Sequence, residues 1–224
     1  MKKKQVAIIE TSAVSSAELN ALCKEIIPDV RIWEIIDSSL IAEVNANGGV
    51  TTGVRRRMVQ YYENAQSIGV DAILNQCSSV GEVAEYCKSV VDIPVVRIDE
   101  AMARKAVSLG RKIGVVATVE TTVGPSCRLI EKMAKEAGKE IEIEKHLVDG
   151  AMMILIETGD KERHNAMVLS EVEKAAESCD VVVLAQGSMT VLLPLLGHIK
   201  KPVLSSPRLG IEYLKEVLEG LDQE

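Results

Sequence analysis

The chain has 224 residues and a formal net charge of −7, with 47% hydrophobic and 26% charged residues, the balance of a soluble globular protein with one large core or two small ones. The acidic balance disfavours polyanionic partners, because phosphate binding draws on Lys and Arg. Aromatics make up 2%, with no Phe and a single Trp33. That argues against base stacking on nucleic acid and leaves the core to Val, Ile, Leu, Ala and Met, as in a buried parallel sheet.

Met1-Lys2-Lys3-Lys4 has the charge of a signal-peptide start, but the apolar run that follows is too short for an h-region. Nothing approaches the roughly 20 apolar residues of a membrane span, so a cytoplasmic protein with no membrane partner is expected. Val6 to Ile9 reads as a buried strand, followed by a helix over 17–26 and a second strand over 30–36. A loop holding Gly48, Gly49 and Gly53 leads to a helix over 54–68 and a third strand over 70–75. A helix over 80–90 and a fourth strand over 94–98 complete the first half. Arg55-Arg56-Arg57 falls on a helix and reads as a solvated face.

The second half repeats the alternation. A helix over 101–108 precedes a strand over 112–117, then a helix over 125–137 and a strand over 141–147. Helices over 151–158 and 163–178 precede a strand over 181–185. A strand at 202–204 and a helix over 210–218 close the chain. Strands of four to six apolar residues alternating with helices specify an α/β fold with mostly parallel sheets.

The halves also match each other. Gln76-Cys77-Ser78 recurs as Gln186-Gly187-Ser188, 110 residues later, and Pro94-Val95-Val96 recurs as Pro202-Val203-Leu204, 108 later. Ile9-Glu10-Thr11 corresponds to Ala117-Thr118-Val119, again 108 later. These landmarks suggest a duplicated α/β unit. Ligands of open α/β sheets bind beyond the carboxyl ends of the strands. Two facing units would therefore surround one site with Glu10-Thr11-Ser12, Cys77-Ser78-Ser79, the segment from Thr118 through Thr121 and Thr122, and Gly187-Ser188-Met189. Free N–H groups and hydroxyls at helix starts suit a carboxylate or phosphate. The competing reading is that each Ser or Thr is an ordinary N-cap.

The five cysteines, Cys23, Cys77, Cys87, Cys127 and Cys179, are odd in number and lack disulfide or metal spacing. His146, His164 and His198 form no metal spacing either, and His164 reads as a surface residue. Cys23, Cys87 and Cys179 fall on or at the end of helices, where packing is expected, and Cys127 reads as helix-start packing. Cys77 alone follows a strand directly. No Gly-rich nucleotide motif follows any strand.

These residues resemble the aspartate/glutamate racemase superfamily, which includes hydantoin racemases, maleate isomerases and arylmalonate decarboxylases. The likeness rests on Cys77-Ser78-Ser79, Gly187-Ser188-Met189 and the segment from Gly114 to Thr122, and it extends along essentially the whole chain. It implies two pseudo-symmetric three-layer α/β domains with the site in the cleft between them. The domains would be 1–98, with a C-terminal helix over 207–224 packing back on it, and 99–206. It also implies a homodimer or larger homo-oligomer acting on a small carboxylate without a cofactor or metal. In the family's racemases two cysteines face opposite sides of the substrate α-carbon; Cys77 matches the first, and Glu10 matches an acidic residue that assists it. On this alignment Gly187 stands at the second position, where it can neither give nor take a proton. Three reactions stay open: racemisation with another acid such as Ser188, decarboxylation of a malonate-type acid with Cys77 as proton donor, and addition of Cys77 to a double bond. A non-catalytic carboxylate-binding protein is the reading from another class.

Overall fold

A computed structural model describes residues 3–221. It divides into two compact units, Met1–Glu100 with Pro207–Glu224, and Ala101–Ser206. In the first unit β1 (Gln5–Glu10), β2 (Arg31–Ile36), β3 (Ala72–Asn75) and β4 (Val95–Arg97) form a parallel sheet in the order β2-β1-β3-β4. Strands β1 and β3 are buried along almost their whole length, which is why they read as unbroken apolar runs. Ala7, Ile9 and Ile73 face α2 (Ser38–Asn47), α3 (Thr52–Ile68) and α4 (Gly81–Cys87) through Leu40, Met58, Tyr62 and Ala84. Val6, Ile8, Ala72 and Leu74 face α1 (Ser16–Ile26) and α9 (Ser206–Gly220) through Leu19, Cys23, Ile211 and Leu214. Helix α9 approaches so closely that a Cβ on Gly210 would lie 2.4 Å from the Ile98 carbonyl oxygen.

Helix α2 corrects the expected loop. Asp37 caps it by accepting from the Ser39 N–H at 2.9 Å, and Gly48 ends it in the left-handed region at φ 66°. Gly53 lies in the first turn of α3, which Thr51 caps. Only Leu40 and Val44 of α2 are buried, too thin an apolar stripe to declare a helix. Arg55 and Arg56 are exposed as expected, whereas Arg57 is paired with Glu43 at 2.8 Å and Asp37 at 3.5 Å.

In the second unit β5 (Lys112–Ala117), β6 (Glu142–Leu147), β7 (Val181–Leu184) and β8 (Val203–Ser205) form a parallel sheet in the order β6-β5-β7-β8. Its helices are α5 (Glu100–Leu109), α6 (Glu120–Glu136), α7 (Ala151–Thr158) and α8 (Lys161–Ser178). Val116, Val182 and Leu184 pack against Val168, Val172 and Ala175 of α8, and against Met189 and Leu192 of a 3-10 run, Gly187–Leu196. Helix α6 starts five residues before Pro125 and so takes in Thr121 and Thr122. Pro125 lacks one helix donor, a loss confined to an early turn. His164 is buried rather than on the surface, with Nδ1 3.0 Å from Asn165 Oδ1; it lies one turn before the buried Val168 on the inner side of α8. Among the described residues no helix is long and apolar enough to cross a membrane.

Candidate active site

Cys77 lies two residues beyond Asn75, the last residue of β3, and caps a single 3-10 turn, Ser78–Val80, that leads into α4. Its carbonyl accepts from the Val80 N–H at 3.3 Å and from Asn75 Nδ2 at 2.9 Å. The Asn75 side chain is in turn held by the buried Tyr62 hydroxyl, which donates to Oδ1 at 3.2 Å. The Cys77 turn is thus tied through Asn75 to the core of α3. Cys77 itself is half-buried, whereas Cys23, Cys87, Cys127 and Cys179 are all buried. Burial pushes the Cys23 thiol up to about 12 and the Cys87 thiol up to about 11, and it raises Cys127 and Cys179 as well. Those four thiols are thereby held toward the neutral form, which is unreactive. Ser78 and Ser79 are buried beside Cys77.

Glu10 ends β1 and is fully buried. Its Oε2 accepts from Ser16 Oγ at 2.7 Å, and Oε1 has no hydrogen-bond partner. Burial raises its pKa, the Ser16 hydrogen bond works against that rise, and the nearby Glu34 charge adds to it. No hydrogen bond joins Glu10 to Cys77. Glu10 continues the Val6–Ile8 side of the sheet toward Ser16 of α1, while Cys77 packs with the cluster on the α3–α4 side. Strand alternation thus sends the two side chains to different faces, and a direct assisting contact of Glu10 with Cys77 is not present. Thr11 is buried, and Ser12 Oγ accepts from the Val14 N–H at 3.2 Å. Gln76 Nε2 donates to Ser15 Oγ at 2.9 Å and stitches the first loop to the Cys77 loop.

At the strand ends of the second unit, Thr118 is buried and Thr121 half-buried. Thr122 is buried in the first turn of α6. The principal link between the loops is Gln186. Its Oε1 accepts from both the Thr118 N–H at 2.6 Å and the Thr118 hydroxyl at 3.1 Å. Both bonds go to the oxygen, so neither uses the amide nitrogen. Ser188 is exposed, Gly187 is half-buried and Met189 is buried in the core.

Strand register corrects the match between halves. Ile9 pairs with Asn75 in one sheet, and Val116 pairs with Leu184 in the other. The next residue donates to the central strand in each unit: Gln76 N–H to the Ile9 carbonyl at 3.0 Å, and Ala185 N–H to the Val116 carbonyl at 2.9 Å. One residue later comes the cap of the 3-10 turn, Cys77 in the first unit and Gln186 in the second. Each cap carbonyl accepts from the N–H three residues on, Val80 and Met189 respectively. Gln186 therefore matches Cys77, and Gly187 matches Ser78. The Gln-x-Ser likeness is out of step with the strands by one residue. Gln186 had no motif to announce it; alignment on strand ends would have found it.

A family profile described as Asp/Glu/Hydantoin racemase matches residues 6–214. Among solved structures, glutamate racemase isoform RacE1 from Bacillus anthracis is similar with a TM-score of 0.74 at 16% identity, covering 99% of this chain and 84% of that one. Aspartate racemase from Picrophilus torridus gives 0.72 at 15%, covering 96% and 94%. Allantoin racemase from Klebsiella pneumoniae gives 0.69 at 14%, covering 98% and 89%. No curated protein matches the chain. At these identities the solved structures establish a shared two-unit α/β fold, and the profile spans nearly the whole sequence. The chain belongs to the Asp/Glu/Hydantoin racemase family.

Proposed function

We propose that the chain is a cofactor-independent enzyme that transfers a proton at the α-carbon of a small carboxylate, with Cys77 as the acid/base. The observation that carries this reading is that Cys77 is the one cysteine of five not buried, and it lies on a strand-end turn of a racemase-family fold. In the proposed reaction the Cys77 thiolate removes the α-proton and the carbon's electron pair moves into the carboxylate as an enediolate. Hydroxyl and amide donors of the strand-end loops stabilise that charge, among them the side-chain N–H of Gln186, whose oxygen is held by Thr118. The proton then returns from the Cys77 thiol. Because an amide stands where Cys77 has its register match, no second thiol delivers a proton from the other side.

Such a site exchanges the α-hydrogen with solvent faster than it inverts the centre. In deuterated water, an NMR screen over amino acids, hydantoins and hydroxy acids should reveal α-exchange that Cys77→Ala removes. General acid–base groups of this kind contribute on the order of 10²–10⁴ in rate. A screen with no Cys77-dependent exchange would remove the support for this reading.

The amide at position 186 favours one second reading. A decarboxylase needs only one acid, since loss of CO₂ itself leaves the carbanion that Cys77 would protonate. Cys77-dependent CO₂ release from disubstituted malonates would select it. Binding and thermal stabilisation by carboxylates without turnover, together with ordinary iodoacetamide reactivity of Cys77, would select a non-catalytic carboxylate binder.

A further inference from the structure

On the α8 side of the second sheet, Glu144 and His146 stand two residues apart on edge strand β6, paired in register with Gly114 and Val116 of β5. The carboxyl end of α8 brings Ser178 and Cys179 to the same place. The ligating atoms of Glu144, His146 and Cys179 all lie within 4.8 Å of one another. Cys179 and His146 are buried. Space for the thiol exists because residue 114 is glycine: a Cβ there would lie 3.1 Å from Cys179 Sγ and 3.3 Å from Ala175 Cβ.

The imidazole orientation is the more telling feature. Nδ1 lies 2.8 Å from Glu171 Oε1, a hydrogen bond in which Nδ1–H donates when Nε2 carries the lone pair. Nε2 is buried and makes no hydrogen bond, although Glu144 Oε1 is 3.1 Å away. At that separation the missing bond means that the carboxylate oxygen lies off the ring nitrogen's axis. A histidine serving only as an ion-pair link would aim its second N–H at Glu144. A buried Nε2 without a hydrogen bond, with a carboxylate oxygen about 3 Å away and a thiol within 4.8 Å, is an arrangement that a cation completes. Tetrahedral zinc bonds of roughly 2.0–2.3 Å place ligand atoms about 3.3–3.6 Å apart. A carboxylate on the far ring nitrogen is the usual support of a metal-bound histidine.

We infer that Glu144, His146 and Cys179 form a binding site for a thiophilic divalent cation of the zinc type, with Glu171 orienting the imidazole. His146 contributes Nε2, Glu144 contributes Oε1 and Cys179 contributes Sγ after releasing its proton to solvent. One carboxylate and one thiolate neutralise the two charges of the ion. Lys112, whose Nζ is 2.8 Å from Glu144 Oε2, holds the other carboxylate oxygen, so that Oε1, which accepts from the Ser178 hydroxyl, is the one offered to the metal. Ser178 Oγ, 2.9 Å from Glu144 Oε1 and 3.6 Å from Cys179 Sγ, or a water takes the fourth position. Glu144 and His146 lie on β6, and Ser178 and Cys179 at the end of α8, so the site is built within the second unit and reads as structural.

Cobalt(II) added to the metal-free full chain reports the site directly, since a cobalt–thiolate bond gives a near-ultraviolet charge-transfer band. The expected result is saturation at one equivalent, displacement by zinc, retention of the band in Cys77→Ser, and its loss in Cys179→Ser and His146→Gln. If either of the last two fails to fold, alkylation mapping of the unmodified protein decides: zinc should slow labelling of Cys179 and leave Cys23 unchanged. Absence of the band, its survival in folded Cys179→Ser, or equal labelling of Cys179 with and without zinc would overturn the assignment.

Discussion

Gln186 Oε1 accepts two hydrogen bonds from Thr118, while Cys77, its register equivalent in the other unit, carries a half-buried thiol with no such restraint. The same backbone turn thus presents a thiol in one unit and a fixed amide in the other. An amide neither accepts nor releases a proton near neutral pH, but it orients a polar group of a ligand. The duplication has kept the scaffold and made the chemistry asymmetric.

Gln186→Cys tests that asymmetry. It places a thiol at the register match of Cys77, with the turn backbone unchanged. On the proposed reaction, inversion should rise toward the exchange rate, by on the order of 10²-fold for a positioned acid. Gly187→Cys, which matches Ser78, should give no such gain. Optical rotation and loss of α-deuterium, followed in parallel, separate inversion from exchange. A gain from Gly187→Cys but not from Gln186→Cys would reverse the register assignment.

Tyr62→Phe probes the support beneath Cys77. The hydroxyl is its only polar atom and donates to Asn75 Oδ1, whose amide nitrogen holds the Cys77 carbonyl. Deleting it strands a buried acceptor, which costs about 1–3 kcal/mol. The expected outcome is a lower urea midpoint with unchanged slope, and slower Cys77-dependent exchange without loss of ligand binding. Unchanged stability would mean that Asn75 finds another donor.

How much of this was legible depends on where the signal resides. The strand Lys112–Ala117 and the helix Ala151–Thr158 have the bounds that local pattern assigns them, because apolar runs and flanking polar or glycine residues mark both ends. Helix α2 was hidden because only two of its ten residues are buried. The turn at Cys77 was visible as chemistry, but its partner was displaced to Gly187. A one-residue slip between similar loops is invisible without the backbone hydrogen bonds of Gln76 and Ala185. The Glu144, His146 and Cys179 group left no spacing motif, since β6 and the end of α8 meet only after the sheet is built.

Glu10→Gln gives a pH signature. Burial raises the Glu10 pKa in the folded chain above its value in the unfolded one. Such a group contributes its stability fully below the unfolded carboxyl pKa, and the contribution is lost as pH rises through the folded pKa. Gln keeps the acceptor for Ser16 and has no charge to bury. The melting temperature of the variant relative to the parent should therefore climb as pH rises above the ordinary carboxyl range. Parallel curves over that range would show that Glu10 is not strained by ionisation.

Arg97 and Asp99 form a bidentate pair, Nε to Oδ1 at 3.0 Å and Nη2 to Oδ2 at 2.9 Å, with side chains only 3% and 2% exposed. The guanidinium lies against Gly81, where a Cβ would fall 2.4 Å from Nη2, and Gly81 opens the helix that follows the Cys77 turn. Removing one partner leaves a buried charge, which costs about 3–5 kcal/mol, whereas replacing both by apolar groups of similar volume is often neutral. Arg97→Met and Asp99→Leu should each be severely destabilising in urea, and the double variant should recover much of the loss. Gly81→Ala should destabilise as well, by displacing the guanidinium rather than by removing it, and this loss should shrink in the Arg97→Met background. If the double variant costs as much as the two singles together, the pair is not a coupled unit and Gly81 has some other reason to be glycine.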